Sequence, residues 1–211
     1  MKAWSGFQWP DGDKDCAQAI TFEAMMYMGK FLSHVPGRNA AVQAGGNVGV
    51  YPFGLARAGF RTVHTFEPEW ENFRCLCANI DLQGMNGIVR PYKAALGEAT
   101  GTCGLVQNID DNTGTFRVSG AGTIPVQTID DLDLSECDLI WLDVEGYEVK
   151  ALKGASATID RHQPAVIIEE TGLADDDNQT GSAIEWLFRR GYRPATKHGK
   201  DHMFVPSQKD K

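Results

Sequence analysis

Residues suited to chemistry follow directly after four short apolar segments of this chain. They are a glycine loop and a series of carboxylates: Gly45, Gly46 and Gly49, then Glu67, then Asp143 and Glu145, and finally Glu169 and Glu170. Glycines let the backbone turn tightly and approach a ligand closely. Carboxylates bind ribose hydroxyls, take up protons or coordinate divalent cations. If the apolar segments are strands of one parallel sheet, these residues lie at its carboxyl edge, where open α/β sheets bind ligands.

The glycine loop and Glu67 together favour a nucleoside cofactor. Glu67 follows Gly49 at close to the ~20-residue spacing at which an acid in such a fold meets ribose hydroxyls. The dinucleotide pattern G-x-G-x-x-G fails here, because Ala44 stands at its first glycine position. The loop's own pattern, Gly45-x-Asn47-x-Gly49, suits a ligand without a pyrophosphate better. A nicotinamide-dependent reductase is an alternative that depends on the loose dinucleotide match.

Strands alternating with helices must position these residues. Apolar runs bounded by turn signals predict strands, and apolar residues at three- and four-residue steps predict helices. We expect strands at 40–44, 62–66, 88–96, 137–142 and 164–168, helices at 14–33, 50–58, 70–80, 147–159 and 182–190, and two short strands within 192–205. This order predicts an α/β fold with a parallel sheet. The Gly- and Thr-rich residues 98–127 predict a β-hairpin insertion between the third and fourth strands.

Composition narrows the classes of function. The chain has 211 residues, 42% of them hydrophobic, which predicts one domain over 1–211 with a substantial core. A net charge of -8 disfavours nucleic acid as a partner. We find no apolar stretch long enough to span a bilayer and no signal peptide at the N-terminus. The five cysteines include no C-x-x-C pair, so we expect reduced thiols and a cytoplasmic protein.

Several segments carry a family resemblance. Val42–Gly49 resembles the first motif of the FkbM-type methyltransferases, class I enzymes that use S-adenosylmethionine. Further motifs that look like those of the family follow in order, at Phe66–Pro68, Thr128–Leu132, Leu142–Glu148, Gly191–Tyr192 and Asp201–Pro206. The likeness covers residues 40–206, which we interpret as a methyltransferase core. Residues 1–39 fall outside it, and we interpret them as an N-terminal helical extension.

The resemblance implies a Rossmann-like class I methyltransferase fold, with a seven-stranded, mostly parallel sheet whose last strand is antiparallel. It implies S-adenosylmethionine bound by the residues Gln43, Gly45, Gly46, Asn47, Val48, Gly49, Glu67, Pro68, Ala95 and Leu96, with Glu67 on the ribose. It also implies O-methylation of a hydroxyl on a sugar, glycan or related small molecule. Gln43 stands where the family usually has an aspartate, which keeps open a catalytically weak or inactive binding module.

Asp143 and Glu145 are the catalytic candidates, because a hydroxyl acceptor must lose a proton to become a good nucleophile. Residues two apart on an extended segment share a face, so both carboxylates can enter one pocket. Either one acts as a base, or the two help to hold a divalent cation such as Mg²⁺. The alternative for Asp143 is a helix N-cap. We expect Glu148 on a solvated helix surface.

A basic cluster near the C-terminus supplies candidates for acceptor binding; it consists of Arg189, Arg190, Arg193, Lys197, His198, Lys200 and His202. Glu169 ends the fifth strand, while His198 and His202 flank the turn of the closing hairpin. In the implied topology this turn lies at the ligand edge of the sheet. Its positive charge would attract an anionic acceptor such as a nucleotide sugar. The alternative is a solvated terminal turn.

Overall fold

The computed structural model describes residues 1–15, 17, 28–169 and 182–207. Most of the helix predicted over 14–33 lies outside these residues, and so does Cys16. Residues 28–32 are helical. Within the described ranges, no helix is long and apolar enough to cross a membrane. The described cysteines, Cys75, Cys77, Cys103 and Cys137, are free thiols.

Seven strands form the central sheet. They are β3 (Ala40–Ala44), β4 (Thr62–Phe66), β5 (Val89–Tyr92), β9 (Leu139–Leu142), β10 (Ala165–Glu169), β11 (Tyr192–His198) and β12 (Asp201–Pro206). Their spatial order is β11-β12-β10-β9-β3-β4-β5. Among these strands, β12 runs antiparallel to both of its neighbours, β10 and β11, and the other adjacent pairs are parallel. The expected seven-stranded, mostly parallel sheet of the class I methyltransferase fold is confirmed.

Helices cover both faces of the sheet. They are α1 (Val50–Arg57), α2 (Trp70–Leu82), α3 (Glu148–Lys153), α4 (Ser156–His162) and α5 (Ala183–Arg189). Side chains of Glu69 and Ser182 cap α2 and α5 by accepting backbone N–H groups. Pro52 fits in the first turn of α1, where a backbone N–H has no partner within the helix.

Two apolar cores lie on opposite faces of the sheet, because side chains along a strand alternate. On β9, Leu139 and Trp141 pack into one core, while Ile140 and Leu142 pack into the other. All four side chains are buried, as expected for a strand covered on both faces.

The strand predicted over 88–96 is divided in two. After β5 the chain leaves the central sheet, and β6 (Ala95–Leu96) pairs with β8 (Phe116–Gln127) in a second sheet. There β8 pairs antiparallel with β7 (Gly101–Gln107). Ala95 and Leu96 are buried, so their apolar character reflects contacts with this second sheet.

The helix predicted after Glu145 is also broken, between α3 and α4. Gly154 lies at the break, and a Cβ atom there would overlap the carbonyl oxygen of Gly97. The carbonyl of Gly154 accepts a hydrogen bond of 2.9 Å from the backbone N–H of Asp130. Close backbone contact with other segments therefore interrupts a pattern that is helical by periodicity alone.

The N-terminal segment is not purely helical, contrary to our expectation. It begins with an antiparallel hairpin of β1 (Lys2–Trp4) and β2 (Phe7–Trp9). The side chain of Asn79 on α2 accepts from the Gln8 N–H at 2.7 Å and donates to the Gln8 carbonyl at 2.9 Å. Phe7 stacks on Phe53 of α1, with ring centroids 5.7 Å apart. The hairpin therefore adds to the core beside α1 and α2.

The two edge strands of the central sheet, β5 and β11, each contain a proline, Pro91 and Pro194. A proline has no backbone N–H to donate to a neighbouring strand. The pairing of β11 with β12 is also irregular between Pro194 and Thr196.

Gly154→Ala should lower the free energy of unfolding by ~1–3 kcal/mol, because the added methyl forces two backbones apart. Gly101→Ala is the matched control, since a Cβ atom at Gly101 meets open space. Chemical denaturation of both variants provides the measurement. Equal stability of the two variants would mean that the contact at Gly154 does not determine the helix break between α3 and α4.

Candidate active site

The carboxyl ends of three adjacent strands lie at the same level. Ala44, the last residue of β3, is opposite both Phe66 on β4 and Leu142 on β9. The N–H of Asp143 donates to the Ala44 carbonyl at 3.2 Å. The loops that follow these strands, which carry most of the chemically active residues, therefore converge at one edge of the sheet.

The glycine loop crosses this edge in close contact with its neighbours. The N–H groups of Gly45 and Gly46 both donate to the Phe66 carbonyl, at 3.1 and 2.9 Å. Gly45 has a φ of +80°, and a Cβ atom there would overlap the carbonyl oxygen of Asp143. Only glycine combines this backbone conformation with so close an approach. The loop then turns through Asn47, which has a φ of +44°, into α1.

Gln43 holds the start of this turn. Its amide nitrogen donates to the carbonyls of Ala44 and Gly45, at 2.9 and 3.0 Å. Its amide oxygen accepts from the Thr65 hydroxyl at 2.6 Å. A carboxylate could not make the two donor contacts. Gln43 is fully buried and does not reach the cavity described next, so its role is to fix the loop.

A narrow cavity of about 60 Å³ lies beside the glycine loop. Predicted cofactor residues in its wall are Gly45, Asn47, Glu67, Pro68, Ala95 and Leu96. Predicted residues that lie behind the wall are Gln43, Gly46, Val48 and Gly49. Val48 belongs to the apolar core, and Gly49 caps α1 with its missing Cβ directed at the ring of Phe53. These residues shape the loop rather than face the cavity.

Glu67 presents a buried carboxylate to the cavity. It accepts the N–H of Asn47 at 2.7 Å and the N–H of Glu69 at 2.8 Å. Burial raises the pKa of Glu67 to about 7, although both hydrogen bonds oppose this shift. The Asn72 side chain also hydrogen-bonds to this carboxylate, and a carboxylate with about four acceptor sites can still accept from a further donor. Glu67 can therefore change its protonation state near neutral pH.

A loop over residues 108–115, between β7 and β8, closes the cavity from outside. The Thr113 carbonyl accepts from the Asn72 amide at 2.7 Å and from the Asn47 amide at 3.3 Å. On its outer side, Lys14 forms an ion pair of 2.6 Å with Asp111. We call residues 108–115 the strap.

Sequence reasoning missed the strap and Asn72 as parts of the site. Asn72, Thr113, Gly114 and Phe116 all line the cavity. Two buried atoms there, Oδ1 of Asn72 and Oγ1 of Thr113, have no hydrogen-bond partner among the described residues. Buried polar atoms are nearly always paired, so these two atoms point to a polar ligand.

The predicted catalytic carboxylates belong to a three-residue acid cluster. Oxygen atoms of Asp143, Glu145 and Glu169 lie within 4.8 Å of one another. Glu145 has a φ of +51°, a strained conformation that is common at functional sites. Carboxylate oxygens are also the ligands that Mg²⁺ prefers.

Burial and mutual repulsion raise the pKa values of Asp143 and Glu145 in this acid cluster. Burial, then the charge of Glu169 and a hydrogen bond with it, raise the pKa of Asp143 well above its usual range. Burial and the charge of Glu169 also raise the pKa of Glu145. The cluster can therefore hold a proton where isolated carboxylates would be fully ionised.

One alternative and one expectation about this segment are wrong. Asp143 is not a helix N-cap, because α3 begins at Glu148 after Tyr147. Glu148 is not on a solvated surface either: it is buried, and its carboxylate accepts the N–H of Gly146 at 3.1 Å. Burial raises the pKa of Glu148 to about 7.

The turn between β11 and β12 reaches the acid cluster. Asp201 pairs with Glu169 across the sheet, and His202 pairs with Ile168. The Lys200 ammonium lies 4.0 Å from a Glu169 oxygen. His198 lies opposite Asp201 on the same hairpin and is exposed. The candidates for acceptor binding therefore lie at the rim, beside Glu169.

Two arginines of the predicted basic cluster form ion pairs away from the acid cluster. Arg189 forms an ion pair of 2.6 Å with Glu185, and Arg190 forms one of 2.6 Å with Asp160. These guanidinium groups are on the surface at α5 and are already neutralised.

Similar solved structures are methyltransferases. A methyltransferase FkbM from Methylobacillus flagellatus KT is 19% identical with a TM-score of 0.63, and the match covers 86% of this chain and 47% of that one. A putative caffeoyl-CoA O-methyltransferase from Staphylococcus aureus is 11% identical with a TM-score of 0.53, covering 94% and 86%. The putative methyltransferase yhhF from Escherichia coli is 10% identical with a TM-score of 0.52, covering 96% and 92%.

These likenesses establish the fold, and the chain spans about half the length of the Methylobacillus protein. A search of curated proteins gave no match. The model of the methyltransferase FkbM domain family matches residues 43–194, which is well over half of the sequence, and the chain therefore belongs to that family.

Proposed function

We propose that this protein is an S-adenosylmethionine-dependent methyltransferase that acts on a hydroxyl of a sugar, glycan or related small molecule. The observation that carries the proposal is the cavity beside the glycine loop. It combines the ionisable carboxylate of Glu67 with the unpartnered polar atoms of Asn72 and Thr113. The acid cluster lies at the adjacent strand end.

The residues of the cavity fit a nucleoside. Glu67 can accept a hydrogen bond from a ribose hydroxyl, while Phe66, Leu96 and Phe116 provide apolar surface for a base. Asn72 Oδ1 and Thr113 Oγ1 can pair with polar atoms of the same ligand. Because the cavity is narrow, the strap must move outward to admit a molecule of this size.

When bound, S-adenosylmethionine supplies a methyl group already activated on a positively charged sulfur. The residues of this chain must align the acceptor oxygen and take up its proton. Asp143 and Glu145 occupy the strand end beside the glycine loop, and their raised pKa values suit proton uptake. As the oxygen–carbon bond forms and the carbon–sulfur bond breaks, the hydroxyl proton passes to the acid cluster and then to solvent.

A divalent cation is the second way in which the acid cluster could act. Asp143, Glu145 and Glu169 would hold Mg²⁺, which would lower the pKa of the acceptor hydroxyl. The hydrogen bond between Asp143 and Glu169 favours the proton, since one proton relieves the same repulsion. The position of Gln43 supports an enzyme over an inactive binding module, because its amide stabilises the glycine turn.

Our prediction for Glu67 concerns affinity and pH. Glu67 accepts a ribose hydroxyl best when it is ionised, so affinity should rise as pH increases through about 7. 5′-Methylthioadenosine is the probe, because it has the ribose hydroxyls and no group that titrates in this range. Calorimetry should show roughly tenfold tighter binding at pH 8 than at pH 5.5.

Glu67→Gln should bind the probe roughly tenfold or more weakly at pH 8 and should lose the pH dependence. Glu71→Gln, which changes a partly exposed carboxylate in the first turn of α2, is the matched control. A variant that folds and keeps wild-type affinity would exclude Glu67 as the ribose ligand. Binding of NAD, with no binding of S-adenosylmethionine or S-adenosylhomocysteine, would refute the proposed function itself.

Our prediction for the acid cluster concerns turnover. Asp143→Asn and Glu145→Gln should each reduce formation of S-adenosylhomocysteine by ~10²-fold or more, with cofactor affinity nearly unchanged. In the wild type, turnover should rise with pH as the base ionises. The variants should lack this increase. Glu136→Gln, at an exposed site outside the cluster, is the control.

A metal role would instead give inhibition by a chelator and rescue by Mg²⁺. Normal turnover in both folded variants would remove these residues from the mechanism.

A further inference from the structure

A second, larger cavity lies on the other side of the acid cluster. Its volume is about 450 Å³, which is within the range of small-molecule sites. It opens between the second sheet and the start of α3. Residues in its wall that matter here are Cys103, Arg117, Val118, Glu145, Tyr147 and Lys150.

The two cavities meet at the acid cluster. Val118 lines both of them. Asp143 lines the first cavity and Glu145 lines the second. A methyl donor in the first cavity and an acceptor in the second would therefore both lie against Val118 and the acid cluster.

One charged side chain in the wall of the second cavity, Arg117, lacks a hydrogen-bond partner for one of its N–H groups. Nε of Arg117 is buried and has no hydrogen-bond partner within the described part of the chain. The guanidinium lies near Glu145, since its charge lowers the pKa of that carboxyl. A buried N–H without a partner is unfavourable unless a ligand completes it, and the planar guanidinium matches two oxygens of a carboxylate or phosphate.

Other charges at this cavity favour an anion as well. The Lys150 ammonium lies 4.5 Å from the centroid of the Tyr147 ring, at the rim. The negative charge of Glu98 is offset by an ion pair of 3.2 Å with Lys153. At the β11–β12 turn, by contrast, Lys200 lies beside Glu169. The second cavity is therefore a better place for an anion than the C-terminal hairpin.

We propose that the second cavity binds the acceptor, and that the acceptor carries a carboxylate or phosphate which Arg117 and Lys150 hold next to the hydroxyl that is methylated. This inference rests on the proposed function. The reaction converts an O–H group into O–CH₃, releases S-adenosylhomocysteine, and transfers the proton to Glu145. Because Arg117 lies close to Glu145, the anionic group and the reacting hydroxyl belong to the same small unit, such as one sugar ring.

The test compares a neutral sugar with two anionic ones. Glucose, glucuronate and glucose 1-phosphate are titrated into the protein saturated with S-adenosylhomocysteine, and binding is measured by ligand-observed NMR. Both anions should bind at least tenfold more tightly than glucose. The tighter of the two identifies the source of the anionic group as a carboxylate or a phosphate.

Variants locate the binding site. Arg117→Gln should remove most of the preference for the anions, Lys150→Gln should reduce it, and Arg117→Lys should retain part of it. Arg161→Gln is the matched control, because it removes one positive charge at an exposed site on α4 outside the cavity wall. Affinity for S-adenosylhomocysteine should stay within about twofold in all four variants, and melting temperatures verify that each is folded.

Three results would overturn the inference. Glucose could bind as tightly as the anions, neither anion could bind, or Arg117→Gln could behave like Arg161→Gln. Failure of the wild type to bind S-adenosylhomocysteine is a different result, which refutes the proposed function. In that case the titrations are repeated on the protein alone, so that the anion site is still tested.

Discussion

The common level at which β3, β4 and β9 end is the constraint on which the site depends. Ala44 is opposite Phe66 on one side and Leu142 on the other. This register brings the glycine loop, Glu67 and the acid cluster to one edge. Gly45 makes the arrangement possible, because any side chain there would push the loop away from Asp143. A shift of one strand would separate the cofactor residues from the catalytic ones.

Buried and half-buried carboxylates concentrate at this edge, which is unusual because burial disfavours their charge. Glu67, Asp143, Glu145 and Glu148 all have a raised pKa, with burial as the leading cause. The hydrogen bonds that Glu67 and Glu148 accept from backbone N–H groups retain these side chains in place. Carboxyl groups with shifted pKa values in a cleft are typical of active sites. Here the fold places such groups at the carboxyl ends of its strands.

The sequence was sufficient to locate these strand-end residues, because their position follows from the order of apolar runs. It was not sufficient for contacts made over long distances along the chain. Asn72 and Thr113 meet only because the strap folds back over the glycine loop, and no local pattern encodes that path. The break at Gly154 has the same origin, since its cause is the backbone of Gly97. For Gln43 the sequence was misleading. Its residue type alone suggested a weakened site, but its hydrogen bonds stabilise the turn.

The prolines at the two edges of the sheet have a consequence for behaviour in concentrated solution. An open edge strand presents backbone groups that can recruit a strand of another molecule and start aggregation. Pro91 interrupts the row of donors on β5, and Pro194 does so on β11, where the pairing is also irregular. Neither border of the sheet offers an unbroken template for intermolecular strand addition. A chain with a large parallel sheet is thereby protected at both of its open margins.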